Sequence, residues 1–217
     1  MEKIKVENNA KNVTVRIEDD GNRVIIEQMP EQVELIKIPL GGKFKVGNFV
    51  FRKIAEEPRC SSFFNIYTGC GCILEDFIDD GKRFEFGDNN NYAESEIRKY
   101  LNKDFYKKLT KVVDEDKIIK HTVDLMARDG LKDYGACADN VSLLTERMYQ
   151  DYRKHLPKTG KYWWLATPWS TPTAGYSRGV CIVNGDGALS DNDCDDDYTV
   201  RPFCLFGSTL LVSPVDE

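Results

Sequence analysis

The 217-residue chain has two histidines, His121 and His155, far apart and without a ligand pattern around them. That scarcity removes most imidazole-based zinc sites and most base-activated nucleophiles. No Gly-x-Ser-x-Gly elbow and no glycine-rich phosphate loop occurs. No run of about 18 apolar residues is present, so no membrane insertion is expected. The opening MEKIKVENNAKN lacks the apolar stretch of a secretory signal. There is no basic surplus either. Thirty Lys and Arg face 36 Asp and Glu, a net charge of −6, which argues against a nucleic-acid partner. The seven cysteines (60, 70, 72, 137, 181, 194 and 204) are odd in number and irregularly spaced. A disulfide framework is therefore not expected, and mostly buried, reduced thiols are. Cys70-Gly71-Cys72 does not have a zinc-site spacing. The expectation is no metal and no cofactor.

One absence is local. Residues 1–164 hold 19 Lys and 14 Glu, whereas residues 165–200 hold none of either, and no Gln or Met. At the earlier frequency about seven Lys or Glu belong there. The same stretch carries six Asp, at 186, 191, 193, 195, 196 and 197.

What is present describes a folded α+β chain. At 41% hydrophobic and 11% aromatic it can bury a sizeable core. NVTVRI (12–17) and RVIIEQ (23–28) flank Asp19-Asp20-Gly21-Asn22, a hairpin signal. A boundary near residue 40, at Pro39-Leu40-Gly41-Gly42, sets 1–40 apart from a main domain, 41–217. This hairpin could be an appendage, an element that pairs two copies into a homo-oligomer, or the first strands of the main sheet. FKVGNFVFRKI (44–54) is a second hairpin with Gly47-Asn48 at its turn. YAESEIRKYLNKDFYKKL (92–109) has helical periodicity and two candidate caps, Asn91 and Ser95. IIKHTVDLMA (118–127) fits strand or short helix. LLTERMYQDYRKHL (143–156) predicts a second helix opened by Ser142 or Thr145. KYWWLATP reads as an aromatic core strand, and a β-rich C-terminal third follows. Hairpins, then helices, then strands make an α+β order rather than a βαβ array.

FKVGNFVFRKI, SEIRKYLNKDF (95–105), NVSLLTERMYQDY (140–152), WWLATP (163–168) and VRPFCLF (200–206) fall together in an order that resembles a domain family of gut bacteria and their phages. That family lies in the group of C-type-lectin-like and formylglycine-generating-enzyme-like folds. The C-terminal third further resembles the variable protein of a diversity-generating retroelement. There, a reverse transcriptase copies a template repeat and mutates its adenines. Asn codons altered at their first two bases cannot become Lys, Glu, Gln, Met or Trp, which matches the local absence.

The resemblance implies a non-enzymatic binding protein with GYSRGVCIVNGDGALSDNDCDDDYT (175–199) as its diversified segment. The ligand-binding positions would be Tyr176, Arg178, Asn184, Asp186, Ala188, Ser190, Asp191, Asn192, Asp193, Asp195, Asp196 and Tyr198, with Trp169 at the rim. Period-two alternation would place Asn184, Asp186 and Ala188 on one side of a strand or loop, with Val183 and Leu189 inside. Trp163, Trp164, Arg201 and Pro202 would be scaffold, with Arg201 pinning the last strand by hydrogen bonds or an ion pair. The implied partner is a protein or glycan on a bacterial cell, and the implied setting a phage virion or a bacterial cell. An undiversified adhesion domain of the same fold is the alternative. A formylglycine-generating-type oxidase is disfavoured, because Cys181, Cys194 and Cys204 do not reproduce its cysteine pair. The aspartate run 191–197 invites calcium, but the glycine and distal glutamate of a helix–loop–helix site are missing.

Overall fold

A computed structural model describes residues 13–18, 23–28, 31–61, 65–78 and 84–215. The first two strands, β1 (Val13–Glu18) and β2 (Arg23–Gln28), pair antiparallel, with Val15 opposite Ile26 and Ile17 opposite Val24. They form a two-stranded sheet of their own. The Asp-Gly turn between them lies outside the described residues. A short strand, β3 (Val33–Glu34), leads into a 3-10 turn, and β4 (Lys43–Val46) and β5 (Phe49–Ser61) form the second hairpin. Its two-residue turn works because Gly47 adopts φ +54. A Cβ there would also lie 2.5 Å from Val112 Cγ1, so the close approach needs glycine as well.

The remaining strands are β6 (Asn65–Leu74), β7 (Ile118–Ile119), β8 (His121–Asp124), β9 (Ala136–Asp139), β10 (Val141–Ser142), β11 (Trp163–Pro168), β12 (Gly179–Val183), β13 (Leu189–Asp193), β14 (Phe203–Gly207) and β15 (Leu211–Val215). An eight-stranded sheet runs β10-β14-β6-β5-β4-β15-β3, with β7 also on β14. A three-stranded sheet runs β11-β12-β13, and β8 pairs with β9. The segment 118–124 is thus strand rather than helix.

Two helical stretches cover the sheets. The first is α1 (Glu96–Tyr100), a π-helical turn (Leu101–Phe105) and α2 (Tyr106–Leu109). Both predicted caps are used. Asn91 accepts from Ala93 N ahead of a 3-10 turn, and Ser95 Oγ accepts from Arg98 N at the start of α1. The second stretch, α3 (Glu146–Tyr152), is capped by Thr145, whose hydroxyl accepts from Met148 N, and not by Ser142. The coarse α+β class follows from this inventory.

Residues 33–38, which a boundary near 40 assigns to the appendage, are packed into the main body. Val33 and Glu34 pair with β15, Leu35 is fully buried, and Ile38 nearly so. The buried Lys53 ammonium donates to the carbonyls of Leu35 (3.4 Å), Ile36 (3.0 Å) and Ile38 (2.7 Å), and lies 2.6 Å from Glu56. A cation sealed from water needs this many acceptors.

The three-stranded sheet separates two apolar clusters. Along β11, Trp164 and Ala166 join the larger cluster, and Trp163 and Leu165 the smaller. Along β12, Val180 and Ile182 face the larger, and Cys181 and Val183 the smaller. Alternating sides, with Thr167 the one polar side chain and its hydroxyl accepting from Glu146 N (2.8 Å), is how strands buried on both faces read. The larger cluster is floored by Phe44, Phe51 and Phe206 of the main sheet and roofed by Ile97, Leu101, Phe105 and Leu109. The smaller joins Ile73 and Phe203 to Tyr149 of α3.

Trp163, Trp164 and Pro202 are buried. Trp164 Nε1 donates to Phe84 O at 2.7 Å, and Leu74 N donates to Pro202 O at 2.9 Å. Arg201, just before β14, is sealed in the interior. Its Nε donates to Leu74 O (2.9 Å), and its Nη2 meets Glu75 Oε1 at 3.0 Å.

Candidate ligand-binding face

β13 is the outer strand of the three-stranded sheet, and every residue in it is half-buried. Register decides which way each side chain leaves it. Val183 pairs with Leu189, Cys181 with Asp191 and Gly179 with Asp193, whereas Ile182 pairs with Ser190 and Val180 with Asn192. Directly paired residues share a face. Asp191 and Asp193 therefore lie on the side of the smaller cluster, and Ser190 and Asn192 on the side of the larger. The expected positions along this strand do not form one face.

The first group stands beside exposed side chains. Tyr176 and Trp169 both stand open to solvent, and both pack against Gly179, where an added Cβ would come within 2.9 Å of Tyr176 Cε1 and 3.1 Å of Trp169 Cβ. Arg178 is half exposed, 2.6 Å from Asp195 and 3.9 Å from Asp193. Hydrogen bonding from Arg178 holds the Asp195 carboxyl below its ordinary range. The Tyr176 hydroxyl is pushed up by partial burial and by the carboxylates of Asp193 and Asp191. Trp169, Tyr176, Arg178, Asp191, Asp193 and Asp195 thus make one aromatic and acidic patch. The Arg128 guanidinium backs it, 4.6 Å from the Trp169 ring centroid.

The second group is tied into the scaffold. Asn192 donates through Nδ2 to the Tyr198 hydroxyl. The Tyr198 ring meets Trp164 edge-on at 4.9 Å and Tyr162 at 5.9 Å. Tyr198 and Asn192 are thus partly structural. Asp196 closes a turn, its N donating to Asp193 O at 3.0 Å. Cys194, inside the expected segment, is fully buried and its thiol is raised, first by burial.

Of the strand or loop expected for Asn184, Asp186 and Ala188, the structure has the loop, the one joining β12 to β13. Asn184 N donates to Ala188 O (2.8 Å), Gly187 N to Asn184 O (2.9 Å), and Ala188 N to Asp186 Oδ1 (2.9 Å). Gly187 sits at φ +82, a conformation that a side chain strains. This loop lies at the far end of β13 from Tyr176, about 14 Å away at the usual rise per residue. Tyr149 Oη donates to Gly187 O at 2.8 Å and anchors it to α3.

The fixing point of the exposed group has no signature in the sequence. Asn90 is fully buried between two loops. Its Nδ2 donates to Ser170 O (2.9 Å) and Gly179 O (2.8 Å), and its Oδ1 accepts from Tyr134 Oη (2.8 Å). Asn90 N also donates to Ser177 O (2.9 Å). The run Asn89-Asn90-Asn91 is a loop signal, but nothing local says which of the three turns inward.

A cleft of about 640 Å³ opens beside this patch, between His121, Met126, Arg128, Glu146, Gln150 and Phe203. Glu146 is buried and satisfied there. It accepts from Gln150 Nε2 (2.9 Å) and the Cys181 thiol (3.2 Å), with Arg128 Nε at 3.5 Å. Burial and the Glu146 hydrogen bond push the Cys181 thiol far above its ordinary range. Burial alone does the same to Cys204, and burial with Asp139 raises Cys137 to about 11. These thiols are held protonated, the opposite of an activated nucleophile. Among the described residues no group of three or more His, Cys, Asp or Glu is placed to hold a metal, and Arg178 lies between Asp193 and Asp195 in the run that invited calcium. Nor is any helix among them long and apolar enough to cross a membrane.

Residues 71–147, from β6 to the first residues of α3, match the model of a domain family described as a domain of unknown function, DUF6273. The match ends before β11 and so before every expected ligand-binding position. No curated protein and no solved structure matches the chain.

Proposed function

We propose that this chain is a non-enzymatic ligand-binding protein of C-type-lectin-like fold whose segment 175–199 is diversified by a retroelement. The observation that carries the reading is how exposure divides that segment. Val180–Val183 and Cys194 are buried, whereas Tyr176, Arg178, Asp186 and Asp195 are exposed and the β13 side chains are half open. A backbone held by its neighbours through core side chains tolerates replacement of those on the outside. The same segment lacks the five residue types that mutated Asn codons cannot produce. Aromatic and adaptable polar side chains side by side, as in Tyr176, Trp169, Arg178 and the aspartates, give contact area and hydrogen bonding of the kind binding loops use.

The partner in this reading is a protein or glycan on a bacterial cell, met by a phage virion or by a bacterium carrying the element. An undiversified adhesion domain is favoured by one observation, the bonding of Asn192 and Tyr198 into the scaffold, which limits free replacement at those two positions.

The test is the genomic neighbourhood. A reverse-transcriptase gene beside a near-copy of the 165–205 coding sequence, differing only where the copy has adenine, supports diversification. A neighbourhood without such a copy, or differences at other bases, removes it.

A further inference from the structure

Arg201 is 1% exposed, yet its Nη1 has no hydrogen-bond partner. Its other donors are used, Nε on Leu74 O and Nη2 on Glu75. Glu75 is shared with a second guanidinium, since Arg52 Nε and Nη2 each lie 2.8 Å from its carboxylate oxygens. One carboxylate thus serves two buried or half-buried arginines. Burial pushes the Arg201 guanidinium down to about 10, although Glu75 pulls the other way. A buried guanidinium with an unused donor is costly unless something accepts from it.

Arg201 lines a pocket of about 400 Å³ between the residues after β6 and those before β11. Lys158, Thr159 and Lys161 line it as well. Phe77 lies between two cations, 5.2 Å from Lys161 Nζ and 5.6 Å from Arg201 Cζ to its ring centroid. The exposed Asp76 is the opposing charge on the rim. With Glu75 engaged by Arg52, the lining carries a surplus of positive charge.

We propose that this pocket is an oxyanion subsite, which takes a carboxylate or phosphate group of a ligand on Arg201 Nη1, Lys158 and Lys161. A planar guanidinium and two flexible ammonium groups are the set that recognises such a group. The pocket abuts the β12–β13 loop, because Gly160 N donates to Gly185 O at 3.0 Å and Lys158 lies beside Gly187. A ligand group held there is within reach of Asn184, Asp186 and Ala188. The subsite stands whether or not that loop is diversified.

The test is titration of the full chain with inorganic phosphate, and separately with acetate, at constant ionic strength set by chloride. The readout is the 15N–1H signal of the Arg201 side chain, with Trp163 Nε1 as a second reporter. The expected result is a saturable 1:1 shift of the Arg201 signal with at least one of the two anions. Lys158→Ala combined with Lys161→Ala changes side chains at the pocket wall, leaves the Arg201 network intact, and should weaken binding about tenfold or more. Which anion binds tells phosphate from carboxylate. No shift of the Arg201 signal with either anion, or a shift that the double variant leaves unchanged, overturns the proposal.

Discussion

Asn90→Ala tests how the exposed patch is held. The side chain makes three buried hydrogen bonds, to Ser170 O, Gly179 O and Tyr134 Oη. At a net value of about 1 kcal/mol each, their loss destabilises the fold by about 3 kcal/mol. For a chain of this size about 2–4 °C of melting temperature goes with each kcal/mol, so a fall of about 6–12 °C is expected by calorimetry. The loss should also be local. Amides of Trp169 and Cys194, which bond Gly179 O and Arg178 O, should exchange faster, while Lys53 N on Gly42 O in the main sheet should not. Asn90→Asp adds a pH signature. It keeps the acceptor for Tyr134 but sets a buried carboxyl against two carbonyls, which raises its folded pKa above the unfolded value of about 3.9. Its stability relative to the parent is then greatest below that unfolded value and is lost as pH rises. A loss under about 1 kcal/mol in the alanine variant, or an Asn90→Asp stability difference that is flat from acid to neutral pH, would refute the assignment.

Ile182→Ala, in the strand buried on both faces, should cost about 2–5 kcal/mol in denaturant titration, whereas Ser190→Ala and Asp191→Ala on the neighbouring strand should stay within about 0.5 kcal/mol. Equal losses would mean that the outer strand is as constrained as the inner. Glu75 resists burial through Arg52 and Arg201, so its folded pKa lies below its ordinary value. The stability it adds is present above the unfolded carboxylate range and is lost as pH falls through the folded value. Glu75→Gln should therefore flatten the acid limb of a stability–pH curve, and an unchanged limb would contradict the pairing.

Much of the fold was legible because its signals are local. Gly47-Asn48 between alternating strands, Ser95 before an apolar 3.6-residue period, and KYWWLATP bracketed by Gly160 and Pro168 each specify their element within a few residues. The segment 118–127 stayed ambiguous because a short apolar run suits helix and strand equally, and pairing of Ile118 and Ile119 with β14 and of His121–Asp124 with β9 makes its first part strand. The expected face was legible as a segment but not as a surface. Period-two reasoning ran past Gly187, whose positive φ turns 184–188 into a loop, and register then sent Asp191 and Asn192 to opposite sides. Asn90 and Lys53 act through carbonyl groups distant in sequence, and no local pattern reports such contacts.

The claim that a diversified face is carried on a fixed frame is tested most directly by sequencing the 165–205 coding segment across a population of the source. The account predicts replacements concentrated at Tyr176, Arg178, Asp186, Ser190, Asp191, Asp193 and Asp195, with Val180–Val183, Cys194 and Arg201 unchanged. Replacements spread evenly over buried and exposed positions, or a segment invariant throughout the population, would contradict it.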